Sequence, residues 1–226
     1  MSNEHAPERI QHAPVSGVIA LARRAEPSDA QAVTDIMAAA FFDDPVWGSW
    51  ACPEVDRRAS QLTALWRFFV DATIPTGWVW ITQGGEAASL WVPPGSPELP
   101  PEYEERLRPL LGELLGPHGD VVYEGFQRFD AAHPRQEPHY YLSLLATAPR
   151  HRGHGYGMEL LAENVAEVDR LGLAAYLEST NPANDPRYER LGFVRRGSFT
   201  LPEGPQVTTM WRGARGIPTD SPIRET

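Results

Sequence analysis

The chain has 226 residues, 42% of them hydrophobic, which is enough for one substantial buried core with room for an insertion or tails. Its formal net charge of −10 argues against non-specific binding to nucleic acid, where affinity comes largely from neutralising phosphates. A single cysteine, Cys52, excludes an internal disulfide and suits a reducing compartment, and no run is long and apolar enough to span a membrane.

Residues 1–16 are polar and Pro-containing and read as a tail. They lack the basic patch and apolar stretch of a secretory signal, so a cytoplasmic location is expected. Residues 17–212 read as one domain, and 213–226 as a second polar tail. Gly17–Arg24 reads as the first strand. Ser28 then reads as a helix N-cap, with Gln31 completing a capping box. The helix that follows puts Val33, Ile36, Met37, Ala40 and Phe41 on one face and ends before Asp43-Asp44-Pro45. A second helix over Glu54–Ala72 puts Leu62, Leu65, Trp66, Phe69 and Val70 on one face. Trp78–Thr82 and Ala87–Val92 read as a hairpin around Gln83-Gly84-Gly85.

Residues 93–138 are predicted helical at about 102–115 and 119–131, with Tyr103, Leu107, Leu110, Leu111 and Leu114 at helical spacing. Pro109 should bend or shorten the first piece. Tyr140–Ala146 reads as the central strand and Gly157–Arg170 as a helix burying Met158, Leu161, Val165 and Val168. Leu173–Glu178 is a fifth strand, and Phe193–Thr200 with Gln206–Arg212 form a terminal antiparallel pair. Strands with only some helical crossovers imply an α/β (α+β) chain, a mixed sheet with helices on both faces.

The richest segment is Leu145–Leu161, LATAPRHRGHGYGMELL. A strand end, a turn with Arg150, Arg152 and glycines at 153, 155 and 157, and then a helix make an anion cradle. Bare backbone N–H groups, the positive end of a helix dipole and forked guanidinium donors all suit a diphosphate. A dinucleotide turn needs GxGxxG, but Met158 occupies the last position; a P-loop needs a lysine, and every basic residue here is arginine. His151 and His154 sit in the turn with nothing else at ligand spacing, so no metal is expected. Cys52 reads as a small packed residue.

Arg152-Gly153-His154-Gly155-Tyr156-Gly157 fits RxxGxG and resembles the acetyl-CoA pyrophosphate motif of the GNAT N-acetyltransferases. Leu177–Val194, LESTNPANDPRYERLGFV, resembles the second half of that family's cofactor site. Ala39–Trp50 and Leu90–Gly95 are similar to segments of the puromycin N-acetyltransferase-like branch, whose members often acetylate the amine of a small antibiotic-like molecule. The resemblance covers roughly residues 20–212. It implies a GNAT-type, mostly antiparallel central sheet flanked by helices, with residues 93–138 inserted between the third and fourth strands.

The resemblance also implies a chemistry. Acetyl-CoA would be the co-substrate, its pantetheine paired with the backbone of Leu145, Ala146 and Thr147. Its diphosphate would lie on Arg152, Gly153, His154, Gly155, Tyr156 and Gly157. Asn181 and Asn184 match positions that contact the pantetheine arm or the neighbouring backbone. Tyr188 matches the general acid beside the sulfur. Glu178, near the expected split in the sheet, is the candidate base, with a structural hydrogen-bond role as its alternative. Trp47 and Trp50 follow the first helix, where the family's acceptor pocket lies. His139 and Tyr140, at the start of the fourth strand, are further candidates for that pocket. The expected acceptor is the primary amine of a small molecule, with no nucleic acid or membrane partner, in a monomer or homodimer. A protein or peptide acetyltransferase and a non-catalytic acyl-CoA sensor are the alternatives.

Overall fold

In the computed structural model, which describes residues 22–215, seven strands build one sheet. They are β1 (Ala22–Arg24), β2 (Val79–Thr82), β3 (Ala87–Val92), β4 (His139–Thr147), β5 (Ala174–Ser179), β6 (Val194–Thr200) and β7 (Gln206–Arg212). Their spatial order is β1-β2-β3-β4-β5-β7-β6. Every pair is antiparallel except β4 with β5. The helices are α1 (Ala30–Phe41), α2 (Val55–Thr73), α3 (Pro101–Leu115), α4 (His118–Ala132), α5 (Tyr156–Arg170) and α6 (Asp185–Arg190). The expected mixed sheet with flanking helices is present, and α3 and α4 fall between β3 and β4 as anticipated.

Several expectations change in detail. Only Ala22–Arg24 of the first expected strand is seen; Gly17–Leu21, the tail at 1–16 and residues 216–226 lie outside the described residues. The capping box starts two residues before Ser28. Glu26 and Asp29 cap a short 3₁₀ turn at Pro27–Asp29, and α1 begins directly after it. Asp29 is committed there because the Arg23 guanidinium grips both its oxygens, at 2.6 and 2.8 Å. α3 runs through Pro109 without a break. Pro109 is on the exposed side, so the Glu105 carbonyl it leaves without an N–H partner can be solvated.

Two apolar layers hold the sheet. On one face, α1, α2 and the inserted pair enclose an aromatic core centred on Trp47, Trp66, Phe69, Phe126 and Phe129. Trp47 lies edge-on to Trp66 at 5.1 Å and stacks on Phe129 at 5.5 Å, so it joins α2 to α4. Trp47 itself belongs to a π-helical turn at Pro45–Ala51, where Ser49 N–H reaches back to the Asp44 carbonyl. On the other face, α5 buries Leu161, Val165 and Val168 against Trp91, Leu142 and Leu177. The Asn164 side-chain oxygen accepts from Ser89 Oγ at 2.7 Å and Trp91 Nε1 at 2.9 Å, stitching α5 to β3.

β4 carries the main irregularity. Leu90 pairs with Leu144 while Trp91 pairs with Leu142, so Ser143 is an extra residue on β4. The parallel pairing of β4 with β5 runs from His139↔Ala174 to Leu142↔Leu177 and stops there. The two strands therefore part at the bulge. Beyond it, Leu145, Ala146 and Thr147 remain paired to β3 and, among the described residues, have no strand on their other edge.

Because Trp47 is a shared wall of several core side chains, Trp47→Ala should lower the unfolding free energy by about 3–5 kcal/mol, measured by denaturant melts. A loss under about 1 kcal/mol would contradict this packing role.

Candidate active site

The parting of β4 and β5 leaves two cavities. The first, of about 530 Å³, is lined by β4 beyond the bulge, the turn into α5, and the segment leading into α6. It brings together Leu145, Ala146, Thr147, Arg152, Gly153, Gly155, Tyr156, Gly157, Asn181, Asn184 and Tyr188. The turn that makes this possible depends on glycine. Gly155, the residue before α5, has φ +92°, which an L side chain resists, and no side chain caps the helix. Its first N–H groups thus face outward with the dipole behind them. A Cβ on Gly157 would sit 2.4 Å from Thr147 Oγ1, so the strand end and helix start can meet only with glycine there.

Each candidate has a local anchor. Arg152 Nη2 donates to the Ala40 carbonyl at 2.7 Å, tying the cradle to the end of α1. His154 is exposed beside the His151 and Arg152 carbonyls and does not line the cavity. Asn181 Oδ1 accepts the Ala183 N–H at 3.1 Å and so caps the short turn at Pro182–Asn184. Desolvation pushes the Tyr188 phenol up to about 12, and the Asp44 and Asp185 carboxylates add to the effect. The hydroxyl therefore keeps its proton near neutral pH.

Sequence reasoning missed three residues that line this cavity. Arg187 and Arg190, on α6, add positive charge. Asp44 accepts from the Val46 and Trp47 N–H groups and from Thr180 Oγ1 at 3.0 Å, joining the π-helical turn to the end of β5. Burial raises the Asp44 carboxyl pKa even so.

The second cavity, of about 630 Å³, is walled by the inserted helices and reaches β4 and β5 at Tyr141 and Glu178. Its walls are aromatic and apolar at Phe69, Leu107, Tyr123, Phe126 and Phe129. Its buried polar groups are acidic. Glu178 has both carboxylate oxygens enclosed beside the Tyr141 and Tyr176 hydroxyls; burial pushes it up to about 8, and the two phenols partly offset that rise. Glu98, from the loop after β3, is pushed up to about 7 by burial and accepts from Ser143 Oγ at 2.5 Å. Burial and the neighbouring His139 depress His133, on the same wall, to about 4.

Of the expected acceptor residues, none lines this cavity. Trp47 is committed to the aromatic core. Trp50 donates through Nε1 to the Pro202 carbonyl at 2.9 Å and fills the space over Gly125 and Gly204. Tyr140 is on the α5 face, its ring 4.0 Å from Trp78. Strand alternation explains this: before the bulge, 139 and 141 face the insertion and 140 and 142 face α5. Tyr141 is therefore the tyrosine that reaches the cavity. His139 is buried behind it, with Nε2 3.1 Å from His133 Nε2.

Comparison with known proteins agrees with this geometry. The model of the acetyltransferase (GNAT) family matches residues 112–193, which span both the cradle and the Tyr188 segment. An uncharacterised N-acetyltransferase of Schizosaccharomyces pombe is 28% identical over 195 residues, covering 80% of this chain and 76% of its own. Among solved structures, a Corynebacterium glutamicum protein described as histone acetyltransferase HPA2 and related acetyltransferase is 26% identical, with a TM-score of 0.61. That alignment covers 88% of this chain and 97% of the other. A Drosophila melanogaster polyamine N-acetyltransferase shares the fold at 16% identity and TM-score 0.56, covering 85% and 99% of the two chains. The fold is that of the GNAT proteins, and the matches support an acyltransferase.

The Glu178 carboxyl has a sign-definite effect on stability. Its folded value lies above the ordinary 4.5, so the stability it carries when protonated is fully present below about pH 4.5 and lost as pH rises through about 8. Glu178→Gln, which stays neutral, should therefore melt higher than the parent near pH 8. The two should melt alike near pH 4, as read by thermal unfolding across pH.

Proposed function

We propose that this chain, as an acyltransferase of the GNAT type, moves an acetyl group from acetyl-CoA to the primary amine of a small cationic molecule. The observation that carries this reading is the pairing of two cavities at one strand fork: one basic, glycine-lined and shaped for a diphosphate, the other walled by the insertion, aromatic and acidic.

The residues present fit the cofactor. Gly155 and Gly157 keep the approach to the α5 N-terminus free of side chains, and Arg152, Arg187 and Arg190 supply charge for phosphates. The open edge at Leu145, Ala146 and Thr147 offers backbone groups to an extended amide-bearing arm, as one strand offers them to another. Bound there, acetyl-CoA would supply an activated acyl carbon. A peptide N–H on that edge, near Leu145 or Ala146, would then hold the negative charge that develops on the acyl oxygen, worth about 10²–10³ in rate. Tyr188 would give its proton to the departing sulfur. Glu178 would take the proton from the attacking ammonium, which must be a free amine to react. Holding amine and acyl group together would provide much of the remaining acceleration.

A cavity of about 630 Å³ suits a small acceptor, and its carboxyl groups suit a cationic one. The Drosophila protein compared above catalyses formation of N-acetylagmatine, the acetylated form of a small cationic amine of the class proposed here. The resemblance of Ala39–Trp50 to the puromycin branch falls on residues that build the aromatic core and caps, so it carries no acceptor preference of its own.

The test is thiol release from acetyl-CoA against a panel of amines including agmatine, 2-phenylethylamine, aminoglycosides and aminoacyl nucleosides. Turnover with at least one is expected; tight CoA binding without turnover on any would favour a sensor. Tyr188→Phe should lower kcat by about 10²–10⁴-fold and change acetyl-CoA affinity by no more than roughly threefold. Equal losses in both would remove the acid role. Arg152→Ala should weaken calorimetric binding of acetyl-CoA by about tenfold.

A further inference from the structure

Glu98 was not legible as a functional residue in the sequence, yet it holds a singular position. It comes from the loop between β3 and α3 and lines the acidic cavity with Glu178. Its Oε1 takes the hydroxyl hydrogen of Ser143, which is the bulged residue where β4 leaves β5. Glu178 approaches the same fork from β5, one residue beyond its last pairing with β4, with both oxygens enclosed beside the Tyr141 and Tyr176 hydroxyls. Two carboxyl groups thus converge on the place where the two strands separate, inside one cavity.

We propose that Glu98 and Glu178 act as a coupled carboxyl pair that receives the acceptor's ammonium proton, with Glu98 also fixing the bulged strand through Ser143. This rests on the transfer reading above and extends it: the base is a pair, and it selects an acceptor that arrives as a cation. The charged and titratable groups facing the pair are Glu104 from α3, Tyr123 and Asp130 from α4, His133 and Arg135 after α4, Tyr141 from β4 and Tyr176 from β5. Arg135 is the cation among them, and it is ion-paired with the exposed Asp130. His133 is held neutral by burial. Among the described residues no cation therefore neutralises the inner pair, and an incoming ammonium would do so.

The proton balance is simple. The ammonium N–H bond breaks, its proton passes to a carboxylate oxygen, and the electron pair stays on nitrogen as the attacking lone pair. The carboxyl group later loses that proton to water. Two carboxyl groups on one cavity, one of them with both oxygens enclosed, cannot both ionise cheaply, so a charge on Glu98 raises the affinity of Glu178 for a proton. Burial pushes Glu98 up to about 7 and Glu178 up to about 8, so the ionised pair appears as pH rises through that window.

The test uses the whole protein and two readouts. In ¹³C spectra of Glu-labelled protein, Glu98→Gln should move the Glu178 titration down by about one unit, because it removes the like charge. Glu98→Asp should restore part of the upward shift. An unchanged Glu178 midpoint in Glu98→Gln would overturn the coupling. In acetyl transfer with agmatine and 2-phenylethylamine as probes, the parent kcat/KM should climb between about pH 7 and 8. Glu98→Gln should lower kcat by about 10²-fold, flatten that climb to a single proton step, and leave the acetyl-CoA KM in place. A parent-like pH profile in Glu98→Gln would overturn the shared-base role. Coupling by spectroscopy with no acetylation of any amine by the parent would instead retire the transfer reading, and the proton-accepting role with it.

Discussion

One extra residue in a central strand governs the rest. β4 must pair with β3 on one side and β5 on the other, and a bulge at Ser143 lets it satisfy only one of them from that point on. Pairing with β3 continues to Thr147↔Ala87, and pairing with β5 ends at Leu142↔Leu177. The bulge also shifts the alternation of side chains. Tyr141 faces the insertion before it, and Leu144 and Ala146 turn to the α1–α2 core after it. An open peptide edge, a cleft on each side and a change of face all come from the same added residue.

Such a fork exposes backbone that would otherwise be paired, and the structure restrains it with side chains. Asp44 reaches Thr180 at the end of β5, Arg152 reaches the end of α1, and Asn164 holds α5 to β3. Each such bond is worth only about 0.5–1.5 kcal/mol, more where charge is involved. Together they fix the width of the gap from three directions. The opposing cost is the burial of Glu98 and Glu178, which disfavours their ionised forms and is the kind of local instability that sites of chemistry carry.

Much of this was written in the sequence because periodicity and turn chemistry are local. The helices of the insertion, the β2–β3 hairpin and the glycine turn before α5 each follow from residues within one element. The acceptor side was less legible. Tyr140 and Tyr141 are adjacent, and only the strand register decides which of them faces the insertion. Trp47 and Trp50 look alike as aromatic candidates, yet the π-helical turn buries one in the core and aims the other at Pro202. Glu98 has no periodic signature at all. It matters because a loop brings it to a bulge 45 positions away, a contact that no window of sequence contains. Arg187 and Arg190 were visible in the PRYER run, but their charge joins the cavity only through the fold of α6.

The basic groups of the cradle are all guanidinium, because the chain has no lysine. A guanidinium stays charged and is not a nucleophile at neutral pH, whereas a lysine amine held beside an activated acyl carbon would be a competing acceptor. Under the proposed reaction, no side chain of this protein carries a primary amine to intercept the acyl group. Slow acetylation of side-chain amines, the commonest by-reaction of a thioester held against protein, would thus have no target here.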